Sequence, residues 1–142
     1  MNLRLNSYGL LSPGVHRHSV KEVIEVFGRS NHQRRNLADG LYAGVESLRA
    51  ASVEVIVIGG SFITAKPEPR DVDGCWLYTP KVDIGKLDPV FLAETSASKA
   101  KFLMDFTIDG VRVVPTGQYL TRYEKLTISR EFQPAGVVLL TD

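Results

Sequence analysis

Asp71 and Asp73 stand two residues apart in Asp71-Val72-Asp73, which leads into an apolar run. Residues i and i+2 of a strand project to the same side, so a strand here places both carboxylates on one face. Two carboxylates sharing a face repel each other unless a cation lies between them. Mg²⁺ prefers such hard oxygen ligands and keeps several waters, and Mn²⁺ accepts the same donors. Upstream, the apolar run Val55 to Ile58 ends in Gly59-Gly60-Ser61, and nine residues then separate Ser61 from Asp71. Gly59 and Gly60 have no Cβ, so an anionic oxygen can come close to their main chain. The exposed N–H groups and the Ser61 hydroxyl then become donors to phosphate. Phosphate donors followed by paired carboxylates are what a nucleoside triphosphate and its metal ions need. With two ions, one activates the attacking oxygen and the other neutralises the departing pyrophosphate.

A two-metal site of this kind calls for a third carboxylate from a neighbouring strand. Asp105 is the best candidate, because it alternates away from the apolar set Phe102, Met104 and Phe106. Asp109 is explained as a turn residue by the glycine after it, and Asp83 and Asp88 have loop and helix-cap explanations. Each short motif has a plainer reading when taken alone: glycines after a strand commonly make only a turn, and Asp-x-Asp is common at exposed strand ends. Their order, after a buried strand, is what gives them weight.

The elements needed to position these groups can be read along the chain. Residues 1–18 read as irregular, with a turn at Ser12-Pro13-Gly14. Ser19 and Glu22 have the spacing of a capping box, and the helix they start should run through Phe27 and stop at Gly28. A second helix, capped by Ser30 or Asn31, should reach Ala51 with Leu37, Leu41, Val45 and Leu48 on its packed face. Arg34 and Arg35 lie in its first turns, where the helix dipole does not favour them, and are expected to be solvated or salt-bridged. A buried strand is expected over Val53 to Ile58 and a second over Val72 to Leu77. Pro67 and Pro69 forbid regular structure in the excursion between them. Asp88-Pro89 should cap a helix reaching Ala100, followed by a strand over Phe102 to Ile108. Asp109-Gly110 signals a hairpin into Val111 to Val114, and the run from Gly136 to Leu140 reads as a last strand. The fold class expected is α/β (α+β), a sheet covered by helices. Residues 1–142 read as one domain, in which 1–52 carry the irregular segment and two helices and 53–142 carry the sheet and the site.

Composition sets outer bounds. A chain of 142 residues with 44% apolar and 23% charged residues suits one globular domain with a real core. Lys+Arg 17 against Asp+Glu 16 leaves a net charge of +1, which argues against a nucleic acid as partner and against membrane-surface binding. One cysteine, Cys75, fits a reducing compartment, and no run is long enough for a secretory signal or a membrane span, so a cytoplasmic location is expected.

Other residues invite simpler explanations. Lys66, in the excursion, is within reach of a triphosphate, although a solvated loop lysine is the better-supported reading. His16 and His18 lack the further ligands that a metal site needs. Cys75 shares the parity of Asp71 and Asp73 but has no evident base, and is expected to pack. Trp76, of opposite parity, belongs in the core, and packing is the favoured role of Tyr119 and Tyr123.

The chain resembles the nucleotidyltransferase superfamily, whose Gly-Ser, spacer and Asp-x-Asp pattern matches Gly60-Ser61 and Asp71-Val72-Asp73. It is most similar to small bacterial and phage proteins of the DUF6932 type, over nearly its whole length. The shared features are Pro-Gly-Val-His at Pro13 to His16, the pattern GSFxTxKPxPxDxD at Gly60 to Asp73, Leu-Asp-Pro at Leu87 to Pro89, and the run Lys99 to Phe106. The last of these places the third family carboxylate on Asp105.

The resemblance implies a minimal nucleotidyltransferase fold, a mixed β-sheet flanked by helices. It also implies transfer of a nucleoside monophosphate from an NTP, with ATP favoured, to a hydroxyl, with Mg²⁺ (or Mn²⁺) as cofactor. On this analogy Gly59, Gly60, Ser61 and Lys66 contact the nucleotide phosphates. Asp71, Asp73 and Asp105 are catalytic and hold metal, and Asp105 takes the proton of the attacking hydroxyl. Small members of the superfamily resemble the antitoxin half of toxin–antitoxin pairs, and larger ones carry an extra helical domain for the acceptor, for which this chain has no room. The expected partners are therefore a nucleotide, a toxin-like protein supplying the acceptor, or a second copy of the chain in a homodimer. The alternative is a catalytically silent member of the fold that acts as a partner-binding antitoxin component. A nuclease-like metal enzyme is disfavoured by the neutral charge and the Gly-Ser phosphate cradle.

Overall fold

The helices begin where side chains can satisfy their first N–H groups. The Ser19 hydroxyl accepts from the Glu22 amide at 3.1 Å while the Glu22 carboxylate accepts from the Ser19 amide at 3.2 Å, so the capping box is closed in both directions. It opens helix α1 (Val20–Phe27). The Asn31 side chain accepts from the Arg34 amide at 2.8 Å and opens helix α2 (His32–Ala50). The computed structural model describes residues 3–93, 95–109, 126–127 and 133–142. The expected hairpin into Val111 to Val114, and Tyr119 and Tyr123, lie outside the described residues.

Among the described residues, five strands form one mixed sheet: β1 (Val15–His18), β2 (Ile56–Gly59), β3 (Val72–Leu77), β4 (Met104–Asp109) and β5 (Val137–Leu140), in the order β1-β5-β2-β3-β4. β1 pairs parallel with β5, β2 is antiparallel to both β5 and β3, and β3 pairs parallel with β4. The α+β class is thus as the sequence implies. Residues 15–18 differ from the irregular reading, because they form the outer strand beside β5. Their side chains alternate between exposed and half-buried, which leaves no continuous apolar run to announce a strand.

The parallel β3–β4 pair needs a crossover, and the chain between the strands supplies one. Asp88 caps it, but only a single 3₁₀ turn (Pro89–Phe91) follows, and helix α3 (Thr95–Phe102) starts separately. The expected single helix from Asp88 to Ala100 is broken because the Phe91 carbonyl accepts from the Trp76 indole N–H at 3.3 Å. The Phe91 ring is also stacked on Phe102 with centroids 5.4 Å apart. Leu103 then adopts a left-handed conformation (φ 58°) and sends the chain back into β4, so the strand begins at Met104 and Phe102 closes the helix. Between α2 and β2, Ser52 is left-handed (φ 63°) and Val53 donates back to the Leu48 carbonyl, so β2 starts at Ile56 and not at Val53.

The helices and the sheet share one core. Ile56, Ile58, Val72, Trp76, Met104, Phe106, Val138 and Leu140 on the sheet pack with Leu37, Leu41, Val45 and Leu48 of α2. Helix α2 lies close to the α3–β4 junction because Gly40 and Gly44 face it. A Cβ on Gly40 would stand 2.1 Å from the Phe102 carbonyl oxygen, and one on Gly44 2.1 Å from Met104 Sδ. The opposite face of the sheet carries a smaller apolar group of Val57, Cys75, Leu126 and Val137.

Arg34 corrects the expectation of a solvated or salt-bridged side chain. It is 4% exposed, and its guanidinium donates to the carbonyls of Phe27 (2.9 Å), Phe62 (2.7 Å), Thr64 (2.8 Å) and Lys66. Its Cζ lies 5.5 Å from the centre of the Phe62 ring. Burial pulls its pKa below the ordinary arginine value. Asn31 and Gln33 extend the clamp with side-chain bonds to the carbonyls of Pro67 (2.7 Å) and Pro69 (2.9 Å). The proline-rich excursion is therefore ordered by the N-terminal end of α2. Arg34→Met should leave several carbonyls without their donor and cost about 3 kcal/mol or more of stability in urea unfolding.

A second expected outcome concerns acid. Lys101 Nζ lies 2.5 Å from Asp88 Oδ2, and that bond holds the Asp88 carboxyl below its ordinary value of 3.8, with further help from the Val90 amide. A carboxyl depressed in the folded state contributes stability above its unfolded value and loses it as pH falls through the folded one. The stability difference between wild type and Lys101→Met should thus be constant near neutrality and shrink below pH 3.8.

Candidate functional site

The register of β3 assembles the site. Asp73 is opposite Gly59 of β2 on one side and Asp105 of β4 on the other. All three face away from the helices, as do Val57 and Cys75, and Asp71 precedes the strand with the same parity. One carboxylate oxygen from each of Asp71, Asp73 and Asp105 can be chosen so that all lie within 4.8 Å of one another. Three anions this close, each half-buried, need positive charge among them.

Lys99 supplies part of it. Its ammonium lies 3.3 Å from Asp105 Oδ2 and 3.7 Å from Asp71 Oδ2. The hydrogen bond to Asp105 raises the lysine pKa most, followed by the charge of Asp105, against a small opposing effect of desolvation; Asp71 and Asp73 add to the rise. Lys99 reaches these groups because Leu103 reverses the chain, folding the last turn of α3 back over the start of β4.

Gly60 completes the local geometry. Its φ of 71° lies in the left-handed region, and a Cβ there would stand 2.2 Å from Asp73 Oδ2. The residue therefore allows both the turn after β2 and the close approach of the Asp73 carboxylate. Ser61 starts a 3₁₀ turn (Ser61–Ile63) in which its carbonyl accepts from the Thr64 hydroxyl at 2.7 Å and the Thr64 amide at 3.2 Å. A Cβ on Gly59 would stand 2.8 Å from the Leu126 Cβ, so the glycine makes room for that side chain on the site's face of the sheet.

The sequence-predicted residues thus fall into two groups. Asp71, Asp73 and Asp105 converge, with Gly59 and Gly60 beside Asp73 and Ser61 next in the turn. Lys66 is exposed and makes no ion pair with the triad among the described residues. Its main chain is held instead, the amide donating to the Thr64 hydroxyl at 3.2 Å and the carbonyl accepting from Arg34. Cys75 is buried against Val57, Leu126 and Val137, as a packing residue should be, and Trp76 is fully buried on the helix side. His16 Nε2 bonds the Ser12 carbonyl at 2.7 Å and His18 pairs with Glu22 at 3.2 Å.

Lys99 was not singled out by sequence reasoning as a site residue. The signal was the turn between α3 and β4: Asp105 is the sixth residue after Lys99, a spacing that does not make them neighbours on one helix, and only the reversal at Leu103 makes them meet. The donor set fits a divalent cation of the Mg²⁺ or Mn²⁺ kind. It consists of carboxylate oxygens, and a cationic side chain already sits against two of them.

The chain belongs to the family DUF6932, a family of unknown function, whose model matches residues 3–140. No curated protein and no solved structure matches it. Gly60→Ala tests the local geometry directly. The substitution should cost about 2 kcal/mol or more in urea unfolding, because the left-handed backbone is strained and Asp73 must move.

Proposed function

We propose that this DUF6932 protein is a divalent-metal-dependent nucleotidyltransferase, which moves a nucleoside monophosphate from a nucleoside triphosphate, ATP first among them, to an acceptor hydroxyl. The observation that carries the reading is the convergence of Asp71, Asp73 and Asp105 within 4.8 Å on the face where Gly60 meets Asp73. Those three carboxylates would hold the metal, and Mg²⁺ bound there would offset phosphate charge and polarise the attacking oxygen. The main chain at Gly59 and Gly60 and the Ser61 hydroxyl would bind phosphate oxygens, and the clamp from Arg34 keeps that loop in place before substrate arrives.

In the reaction, the acceptor oxygen bonds to the α-phosphorus as the bond from that phosphorus to the bridging oxygen of pyrophosphate breaks. Asp105 takes the hydroxyl proton, and pyrophosphate leaves with the bonding electron pair. The acceptor of choice is a hydroxyl on a partner protein, with a second copy of this chain as another source of acceptor surface.

Lys99 gives a second reading its support. An acidic cluster neutralised by its own lysine can persist without metal, and the chain would then be a catalytically silent binding partner, such as an antitoxin component. The two readings separate on one experiment. The purified protein is incubated with α-³²P-labelled nucleotides, Mg²⁺ and cell lysate as acceptor source, beside the Asp71→Asn/Asp73→Asn double variant. Transfer by the wild type and its loss in the variant is the expected result. Absence of transfer, with no nucleotide heat in calorimetry, would leave the silent binder as the reading.

A further inference from the structure

We infer that Lys99 is a resident counter-ion which a divalent cation must displace, so that metal loading is coupled to nucleotide binding. The inference rests on the metal-site reading above and adds a regulatory element to it. Its basis is placement. The ammonium bridges Asp71 and Asp105, two of the three carboxylates, at 3.7 and 3.3 Å. A metal ion held by the same carboxylates and an ammonium at these distances repel each other strongly. Either the metal is excluded or the lysine swings away.

Lys99 can swing. Its side chain is 44% exposed, it projects from the last turn of α3 on a four-carbon stem, and its partners are the site's own carboxylates. Once displaced, the ammonium is still close to the site and meets new negative charge only when a triphosphate is present. Metal alone therefore loses an ion pair on binding, whereas metal with nucleotide replaces it. By linkage, each ligand strengthens the other by the same factor. Lys101 cannot take over this part, because its ammonium is engaged by Asp88 on another side of α3.

The test is Mn²⁺ titration followed by the electron paramagnetic resonance signal of the free ion, with and without α,β-methylene-ATP. Wild type, Lys99→Met and Lys99→Arg are compared, with Lys99→Gln as a second neutral variant should the methionine form fail to fold. The neutral variant should bind Mn²⁺ alone about tenfold more tightly than wild type and gain less from the nucleotide, while Lys99→Arg stays close to wild type. Thermal unfolding gives an independent readout, since Mn²⁺ should raise the Tm of the neutral variant more than that of wild type. Equal or weaker Mn²⁺ binding by the neutral variant overturns the inference and leaves the metal site standing. Tightening in Lys99→Arg as well overturns it too, because charge would not be the cause. If neither wild type nor the neutral variant binds Mn²⁺ under any condition, the metal site falls, and the inference with it.

Discussion

Three carboxylates held within 4.8 Å of one another are the constraint around which this protein is built. Like charges at that spacing do not assemble spontaneously; a scaffold has to impose them and a cation has to offset them. The imposition comes from strand register. Asp73 and Asp105 are cross-strand partners in a parallel pair, and Asp71 joins them from the entry to β3. The backbone ladder and the core on the other face fix those positions, so the repulsion is carried by the whole sheet and not by the loop that bears the charges.

Several local departures from ordinary backbone serve the same end. Leu103 takes a left-handed conformation that costs a branched side chain on the order of 1 kcal/mol, yet it is what returns the chain from α3 into β4. Gly60 does the corresponding work after β2, where no side chain would fit against Asp73. Gly40 and Gly44 admit the α3–β4 junction close to α2, so that the crossover demanded by a parallel pair packs tightly on the core. Strained and side-chain-free positions thus gather around the elements that deliver Asp105 and Lys99.

Much of this was legible in the sequence, for identifiable reasons. Parity alone placed Asp71 and Asp73 on one face and Trp76 on the other, because a strand's side-chain period leaves no choice. The capping residues Ser19 and Asp88 announced themselves by type and spacing and cap the turns they precede, and of the two candidates Ser30 and Asn31 it is Asn31 that caps α2. What did not show was long-range. β1 has alternating polar residues and becomes a strand only because β5 lies beside it. Arg34 reads as a surface residue until the carbonyls of a loop roughly thirty positions away close around it. The helix expected from Asp88 is interrupted by an indole from β3 that no local pattern encodes. Lys99 belongs to the same class, since its role depends on a reversal of the chain at an ordinary leucine.

The Arg34 clamp also bears on how the loop after β2 can move. Loops that receive ligands are commonly drawn from the least stable parts of a protein and open on their own. Here the segment from Phe62 to Pro69 is tied at five carbonyls to side chains on the first turn of α2, and Arg34 also holds the end of α1. Opening it breaks those bonds together and strands a guanidinium, so the loop belongs to the same cooperative unit as the two helices. Its amides should exchange with solvent hydrogen at the slow pace of the core, and a ligand arriving there would meet a rigid rim with little ordering entropy left to lose.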